Sequence, residues 1–574
     1  MTAAGPSASA ISISETLVVL DGAFQAVARG VASNQYALWL GSGISRERMP
    51  PTKGLVLRVL GHLQQLCDPT DSDCRFRHSL DAIISLAKPS PAEQEEIDYS
   101  TSPLNWKCGE AIAERLTLNY ARMLDMPPDG EDLDYLVWTA LDVGGVYGDQ
   151  SIKPDVEHLA VAALAVEGVA SDIASANWDG LVEQAVVELT GADTALRVVV
   201  QQADLRRAPS QSTLYKFHGC AILASSDPDN YREHIVGRAS QINGFAALNQ
   251  NPAVKNRLTD IATTKPTLMM GLSAQDANIQ GVFAQAAANM KWPWPHDPPA
   301  CVFAEDQLGA DQVGLLQNVY NAAFATSTSS AIKASAHLRA FGRSLLPALW
   351  CEVLRRKLNE MAKRKTAVPA VERAKLEAGL TELRNRAAAA CLPGQQEAFF
   401  RAALFTVRRA LSLFRRAEEP SVDGPLYESL TPADSSGIAT DHSLLNTGLP
   451  ELAAGLGLFG FRASQGGWDI VVSNPRSAKP GALRVVTADT SAEIFFAANA
   501  EVSNKMFRDG IVADDDPAVL VHSHAIPERY TRSPRVALGR DGSARLREVS
   551  ISALLAETQI VADVIDRLRE EVAL

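Results

Sequence analysis

One local pattern recurs along this chain: a short apolar run that stops at glycine or a polar residue and is followed by helix-forming sequence. Tyr36-Ala-Leu-Trp-Leu40 runs straight into Gly41-Ser-Gly-Ile-Ser45, and SDIASANWD (171–179), LRVVVQQ (196–202), LYKFHGC (214–220), PTLMMGLS (266–273) and PACVFAED (299–306) do the same. Runs that are apolar throughout suit strands covered on both faces, and strands alternating with helices imply a parallel, doubly wound sheet. Ligands of such sheets bind beyond the carboxyl ends of the strands, where every chemically capable residue of these runs sits. The expected fold class is therefore α/β: a Rossmann-like parallel sheet with a helical insertion, a helical connector and a smaller C-terminal α/β domain.

The insertion follows from spacing. Residues 14–32 and 53–67 have helical periodicity and flank the first strand, but about 130 residues then separate that strand from the next convincing one. A strand–helix–strand crossover needs only about a dozen. The excess, about 68–150, is taken as a helical module inserted in a nucleotide domain spanning 1–330. Beyond it, 331–420 is helical and carries 18 Lys and Arg against 8 Asp and Glu. This basic band is either a solvated face with i,i+4 pairs or a docking surface for an acidic partner or nucleic acid. A Pro-, Ser-, Asp- and Gly-rich linker covers 418–437. The unit 438–574 mixes strands (WDIVVS, LRVVTAD, AVLVHS) with helices (AEIFFAANAEVSNKMF and SALLAETQIVADVIDRLREEVA).

At 574 residues the chain is long enough for two to four cores, and its 46% hydrophobic and 21% charged residues are those of a packed globular protein. The net charge of −13 gives no long-range attraction to nucleic acid or anionic lipid. No apolar run reaches the length of a membrane span, and the first residues lack the pattern of a secretory signal, so a cytoplasmic location is expected. Seven cysteines, no two separated by only two residues, speak against a disulfide framework and a structural zinc site; most are taken as buried small hydrophobes.

Five places could carry chemistry. Gly41 and Gly43 allow close backbone approach to a pyrophosphate. Asn177 can position a water or a sugar hydroxyl, and Asp179 points the same way two residues on, although it is equally suited to capping the next helix. His218, ahead of Gly219, can accept a proton near neutral pH. Gly271 and Ser273 repeat the strand-then-glycine pattern, and Asp276 with Asn278 opens a helix, as a phosphate or ribose contact or as a cap. In the C-terminal unit His522 and His524 have the spacing of a metal pair, but SPRV (533–536) lacks the acid that such a site would need, and no metal is expected.

In that order GSGIS, NWD, KFHG and GLSAQDAN resemble the sirtuin-like pattern of GAGIS, N-x-D, HG and G-T/Y-S, over about 36–280. The resemblance implies an NAD site, with Gly41, Ser42, Gly43 and Ser45 near the diphosphate and adjoining ribose and Asn177 and Asp179 near the nicotinamide ribose and carboxamide. His218 would be the base, Gly271 and Ser273 would contact the adenosine half, and Asp276 would also bind the NAD. The four-cysteine zinc ribbon of the deacylase branch is missing, and RERMPP replaces its Asp-Phe-Arg segment. The chain thus looks more like the bacterial antiphage sirtuin-like proteins that hydrolyse NAD when triggered, with NAD as substrate and no further cofactor. The same resemblance implies a protein partner, such as a short Argonaute or a hexameric ATPase, or self-oligomerisation. A nucleotide sensor without turnover, and a zinc-less protein deacylase or ADP-ribosyl transferase, stand as alternatives.

Overall fold

Each of the six apolar runs is a strand. In the structure, a computed structural model that describes residues 7–71, 73–245, 251–364, 368–471, 479–526, 546–558 and 560–572, they are β1 (Ala37–Leu40), β2 (Asp172–Ser175), β3 (Leu196–Val199), β4 (Ser212–Lys216), β5 (Thr267–Met270) and β6 (Cys301–Ala304). With β7 (His337–Leu338) they form a parallel sheet in the order β3-β4-β2-β1-β5-β6-β7. The sheet is Rossmann-like, as the alternation of runs and helices implies. Its last strand lies beyond the boundary expected at 330, because two residues are too short a run to leave a periodic signal.

Alternation along β1 shows why the sheet must be covered twice. Leu38 and Leu40 enter a core with Ile173, Leu214, Leu268 and the helices Val156–Val166 and Gly342–Lys363. Ala37 and Trp39 enter the opposite one with Tyr215, Met269 and Phe303. Trp39 is completely buried, its ring 4.9 Å from that of Phe283 and 6.0 Å from that of Phe217. At roughly 25 cal/mol per Å² of apolar surface removed from water, such a side chain contributes several kcal/mol against the entropy of ordering the strand.

The stretch 68–150 is helical, including Arg75–Leu86, Gly109–Thr117 and Val143–Tyr147. It has a core of its own, in which Val59, Leu63, Leu80, Ile83, Ile112 and Leu116 are solvent-free, and this core reaches the sheet at Trp178 and Cys220. The N-terminal helical stretch is two helices, Ile13–Asp21 and Gln25–Ala32, divided after Gly22.

The basic band is three long helices, Gly342–Lys363, Ala370–Ala389 and Gln396–Arg416. Many of its guanidiniums are paired within the chain. Glu352, 1% exposed, takes Arg355 at 2.8 Å and Arg356 at 2.6 Å and also Arg384. Burial alone would raise its carboxyl, yet these cations hold it at about 2. Arg409 pairs with Glu419, and Arg415 and Arg416 with Glu428. The band also reaches the residues just after the glycine loop: Arg48 lies 2.6 Å from Glu397 and Glu47 3.6 Å from Arg343, while Arg46 stands over the ring of Phe341.

The expected linker is a packed strap. Tyr427 and Leu430 are buried, and the N–H groups of Leu426 and Tyr427 donate to Glu188 and Leu189 of the first unit. Tyr427 Oη, Leu430 N and Lys357 Nζ all donate to the buried Glu167 carboxylate. Glycine and proline here mark irregular backbone rather than a free tether, since two apolar anchors suffice to fix it.

After the strap, β8 (Asp469–Val471), β9 (Leu483–Val486), β10 (Ser491–Ala497), β11 (Ala518–His522) and β12 (Arg547–Ser550) make a second sheet in sequential order. β10 overturns the expected helix at AEIFFAANAEVSNKMF. Its Ile494, Phe495 and Phe496 are buried between two other strands, a setting that favours branched and aromatic residues, and the helix starts only at Ala500 behind the Asn499 cap. His522 ends β11 fully buried with Nε2 2.9 Å from Glu548. SPRV at 533–536 lies outside the described residues. Among those residues no group of three His, Cys, Asp or Glu is arranged to hold a metal, and no helix is long and apolar enough to cross a membrane.

Candidate active site

Register brings the motifs to one edge. Leu40 of β1 pairs with Ser175 of β2 and Met270 of β5, and Ser175 pairs with Lys216 of β4. Gly271, Gly41, Asn177 and His218 therefore leave the sheet side by side at its carboxyl end, where a parallel sheet binds ligands.

The glycines serve one another. A Cβ on Gly41 would lie 2.3 Å from the carbonyl oxygen of Gly271, and one on Gly43 would lie 2.4 Å from its Cα. Gly43 N donates to Gly271 O at 3.0 Å, and Gly271 has φ +62°, a left-handed conformation suited to glycine. The requirement for glycine thus comes from two loops packed backbone on backbone. Ser42 and Ser273 are exposed on these loops.

Ser45 is the hub of a buried network. Its hydroxyl lies 2.9 Å from Asp179 Oδ2 and 3.0 Å from His158 Nε2, and Asn177 Nδ2 donates to it at 3.3 Å. His158 Nδ1 stands 2.7 Å from Asp155 Oδ1. Burial would raise the Asp155 carboxyl, but its bond to His158 holds it below the usual range. The Ser45 hydroxyl has one hydrogen and donates it to Asp179 Oδ2. Beside this network Glu157, buried and close to Asp155, has its carboxyl pushed up to about 8.

Asn177 is held on one side only. Its Nδ2 donates to Gly41 O at 3.1 Å and to Ser45, while Oδ1 is buried without a partner. Lys216 braces the turn from beneath: Nζ donates to the carbonyls of Asp179 and Trp178 and lies 2.9 Å from Glu183. Burial would lower this ammonium, but Cys220, Glu183 and Asp179 raise it, so the brace stays charged.

His218 has a carboxylate beside it. Its Nε2 lies 3.0 Å from Asp276 Oδ2 and 3.3 Å from Asn278 Nδ2. Asp276 also caps the helix Ala277–Asn289 through Oδ1 and Asn278 N at 2.8 Å. Burial would raise its carboxyl, and the contact with His218 more than offsets this. Both oxygens of Asp276, expected to hold phosphate or ribose or to cap the helix, are thus engaged inside the protein. Gly219, at φ +94°, lets the chain turn under Ile235; a Cβ there would lie 2.6 Å from His234 O.

Ser45 joins Asn177 to Asp179, and His218 is joined to Asp276, as two groups along one edge. Asp155 and His158 were not singled out in the sequence. Their signal is the D-x-x-H of KPDVEHL, a capping box that opens the helix Val156–Val166.

The fold defines a protein of the parallel α/β class with a Rossmann-like sheet. Residues 171–321 match the family model of the SIR2-like domain, from the start of β2 to the end of the helix Ala310–Tyr320 that follows β6. The chain therefore carries a SIR2-like domain, consistent with the sirtuin-like family, and such a domain points to NAD-related activity. No curated protein matches the chain.

Proposed function

We propose that this edge is the active site of an NAD glycohydrolase, which cleaves the nicotinamide–ribose bond to give nicotinamide and ADP-ribose. The observation that carries the reading is Asn177: fixed through Nδ2 on Gly41 and Ser45, it has a buried Oδ1 with no partner, at the carboxyl end of a strand that neighbours the one leading to His218. An acceptor held in this way can orient a water or a ribose hydroxyl without reorganising. As the bond breaks, the ribose develops oxocarbenium character and nicotinamide leaves neutral. Attack by water then needs a base to take one proton, and His218, oriented by Asp276, supplies it. Asp179 accepts the Ser45 hydroxyl through Oδ2 and the Leu181 N–H through Oδ1, and so holds the turn that carries Asn177.

An enzyme that destroys NAD harms the cell that makes it, so a resting state is required. The reading extends to an antiphage effector that depletes NAD on a trigger received through the C-terminal unit, from a protein partner or by self-assembly. Its support is the packed connector, whose Glu397 and Arg343 reach the residues just after the glycine loop. Incubating NAD and an acetyl-lysine peptide with the purified chain, followed by mass spectrometry, tests the chemistry. Free ADP-ribose with an unchanged peptide is the expected result, and O-acetyl-ADP-ribose would replace this reading with a deacylase.

A further inference from the structure

Two cysteines take no part in this site. Cys67 closes the helix Thr52–Leu66, and Cys74 opens the helix Arg75–Leu86. The two cysteines are neighbours in space, because Cys74 Sγ reaches the backbone of Asp68, the residue that follows Cys67. Both are half-buried, whereas Cys108, Cys220, Cys301 and Cys351 are buried. Cys74 Sγ accepts the backbone N–H of Asp68 at 3.4 Å and sits at the N-terminus of a 12-residue helix, where free N–H groups favour a thiolate.

We propose that Cys67 and Cys74 form a reversible thiol–disulfide pair, oxidised by hydrogen peroxide and reduced by a dithiol, which staples the helix leaving the nucleotide loop to its neighbour. The thiols are chemically unequal. Burial would raise Cys74, but the N–H groups of Asp68, Arg77 and Phe76 hold it below the ordinary thiol range; burial and the adjoining Cys74 push Cys67 up to about 11. One is the nucleophile and the other keeps its proton until it resolves the intermediate, the arrangement of a redox-sensing pair.

The Cys74 thiolate attacks one peroxide oxygen; an S–O bond forms, the O–O bond breaks, and the departing hydroxide is protonated to water. The sulfur of Cys67 then attacks the sulfenic acid; the S–S bond forms, the S–O bond breaks, and the hydroxide leaves as water with the Cys67 proton. Two thiols lose two electrons and one peroxide becomes two waters. A dithiol reverses the change by thiol–disulfide exchange.

Both cysteines fall in one tryptic peptide, Val59–Arg75. The full chain, reduced and freed of reductant, is treated with a few equivalents of hydrogen peroxide, alkylated with N-ethylmaleimide, digested without reduction and analysed by mass spectrometry. The expected peptide is two hydrogens lighter than the reduced form, free of maleimide, and restored by dithiothreitol. In Cys67→Ser, dimedone should trap Cys74 as its sulfenic acid, and in Cys74→Ser, Cys67 should remain alkylatable. Limiting iodoacetamide at neutral pH should label Cys74 about tenfold faster than Cys67. The proposal is overturned if the pair stays reduced at a peroxide dose that oxidises Cys391, or if Cys67 is oxidised as readily in Cys74→Ser as in the unaltered chain.

Discussion

Gly43 and Gly271 meet backbone to backbone: a Cβ on Gly271 would lie 2.6 Å from the Cα of Gly43 and 2.7 Å from Ile44 N. Two loops that leave neighbouring strands are thereby locked in a single arrangement, and Ser45 is carried to Asp179 by one of them.

Gly271→Ala should therefore cost both stability and site geometry. The left-handed φ and the clash with backbone together predict a loss of about 1–3 kcal/mol, read as a lowered thermal midpoint. Gly314→Ala is the control, since a Cβ there meets nothing within 4 Å. Equal midpoints for the two variants would contradict the interlock.

Asp276 should act through His218. Asp276→Asn keeps the helix cap but removes the carboxylate beside the imidazole, so NAD binding should be largely retained while turnover falls about 10²-fold or more, within the range of general base catalysis. Asp276→Glu should recover part of the rate. If Asp276→Asn weakened binding with kcat unchanged, the residue would be a ligand contact, as its place in GLSAQDAN first suggests.

Glu157 makes stability depend on pH. Its folded-state carboxyl is raised to about 8 by burial, with Asp155 adding to the effect, whereas an unfolded Glu titrates near ~4.3. Below that value both states hold the proton and nothing is lost. As pH rises toward about 8 the unfolded chain gives up its proton first, so the folded state loses stability, by at most about 1.4 kcal/mol per pH unit. Urea unfolding at pH 5, 6.5 and 8 should show Glu157→Gln gaining on the unaltered chain at each step. Parallel curves would refute the assignment.

The sheet was legible because its central strands are short apolar runs that end on glycine or polar residues, as in YALWLGSGIS and TLMMGLSAQDAN. The site was legible in part: Ser45, Asn177, Asp179 and His218 lie where strand ends put them. What escaped depends on partners distant in sequence. Asp155 and His158 look like an ordinary helix start until Ser45, more than a hundred positions away, is folded against them. Gly41 and Gly43 look like a phosphate cradle, and only the fold reveals Gly271 behind them. EIFFAAN has apolar residues that suit either helix or strand, and burial between β9 and β11 decides for strand.

The central claim is that water cleaves NAD at this edge with His218 as base. The most direct measurement pairs calorimetric NAD titration with chromatography of nicotinamide and ADP-ribose, on the unaltered chain and on His218→Ala, each with and without a co-purified partner. The account predicts that both proteins bind NAD and that only the unaltered chain releases the two products in equal amounts. NAD bound by both with no product from either, alone or with a partner, would contradict it and leave a nucleotide sensor in its place.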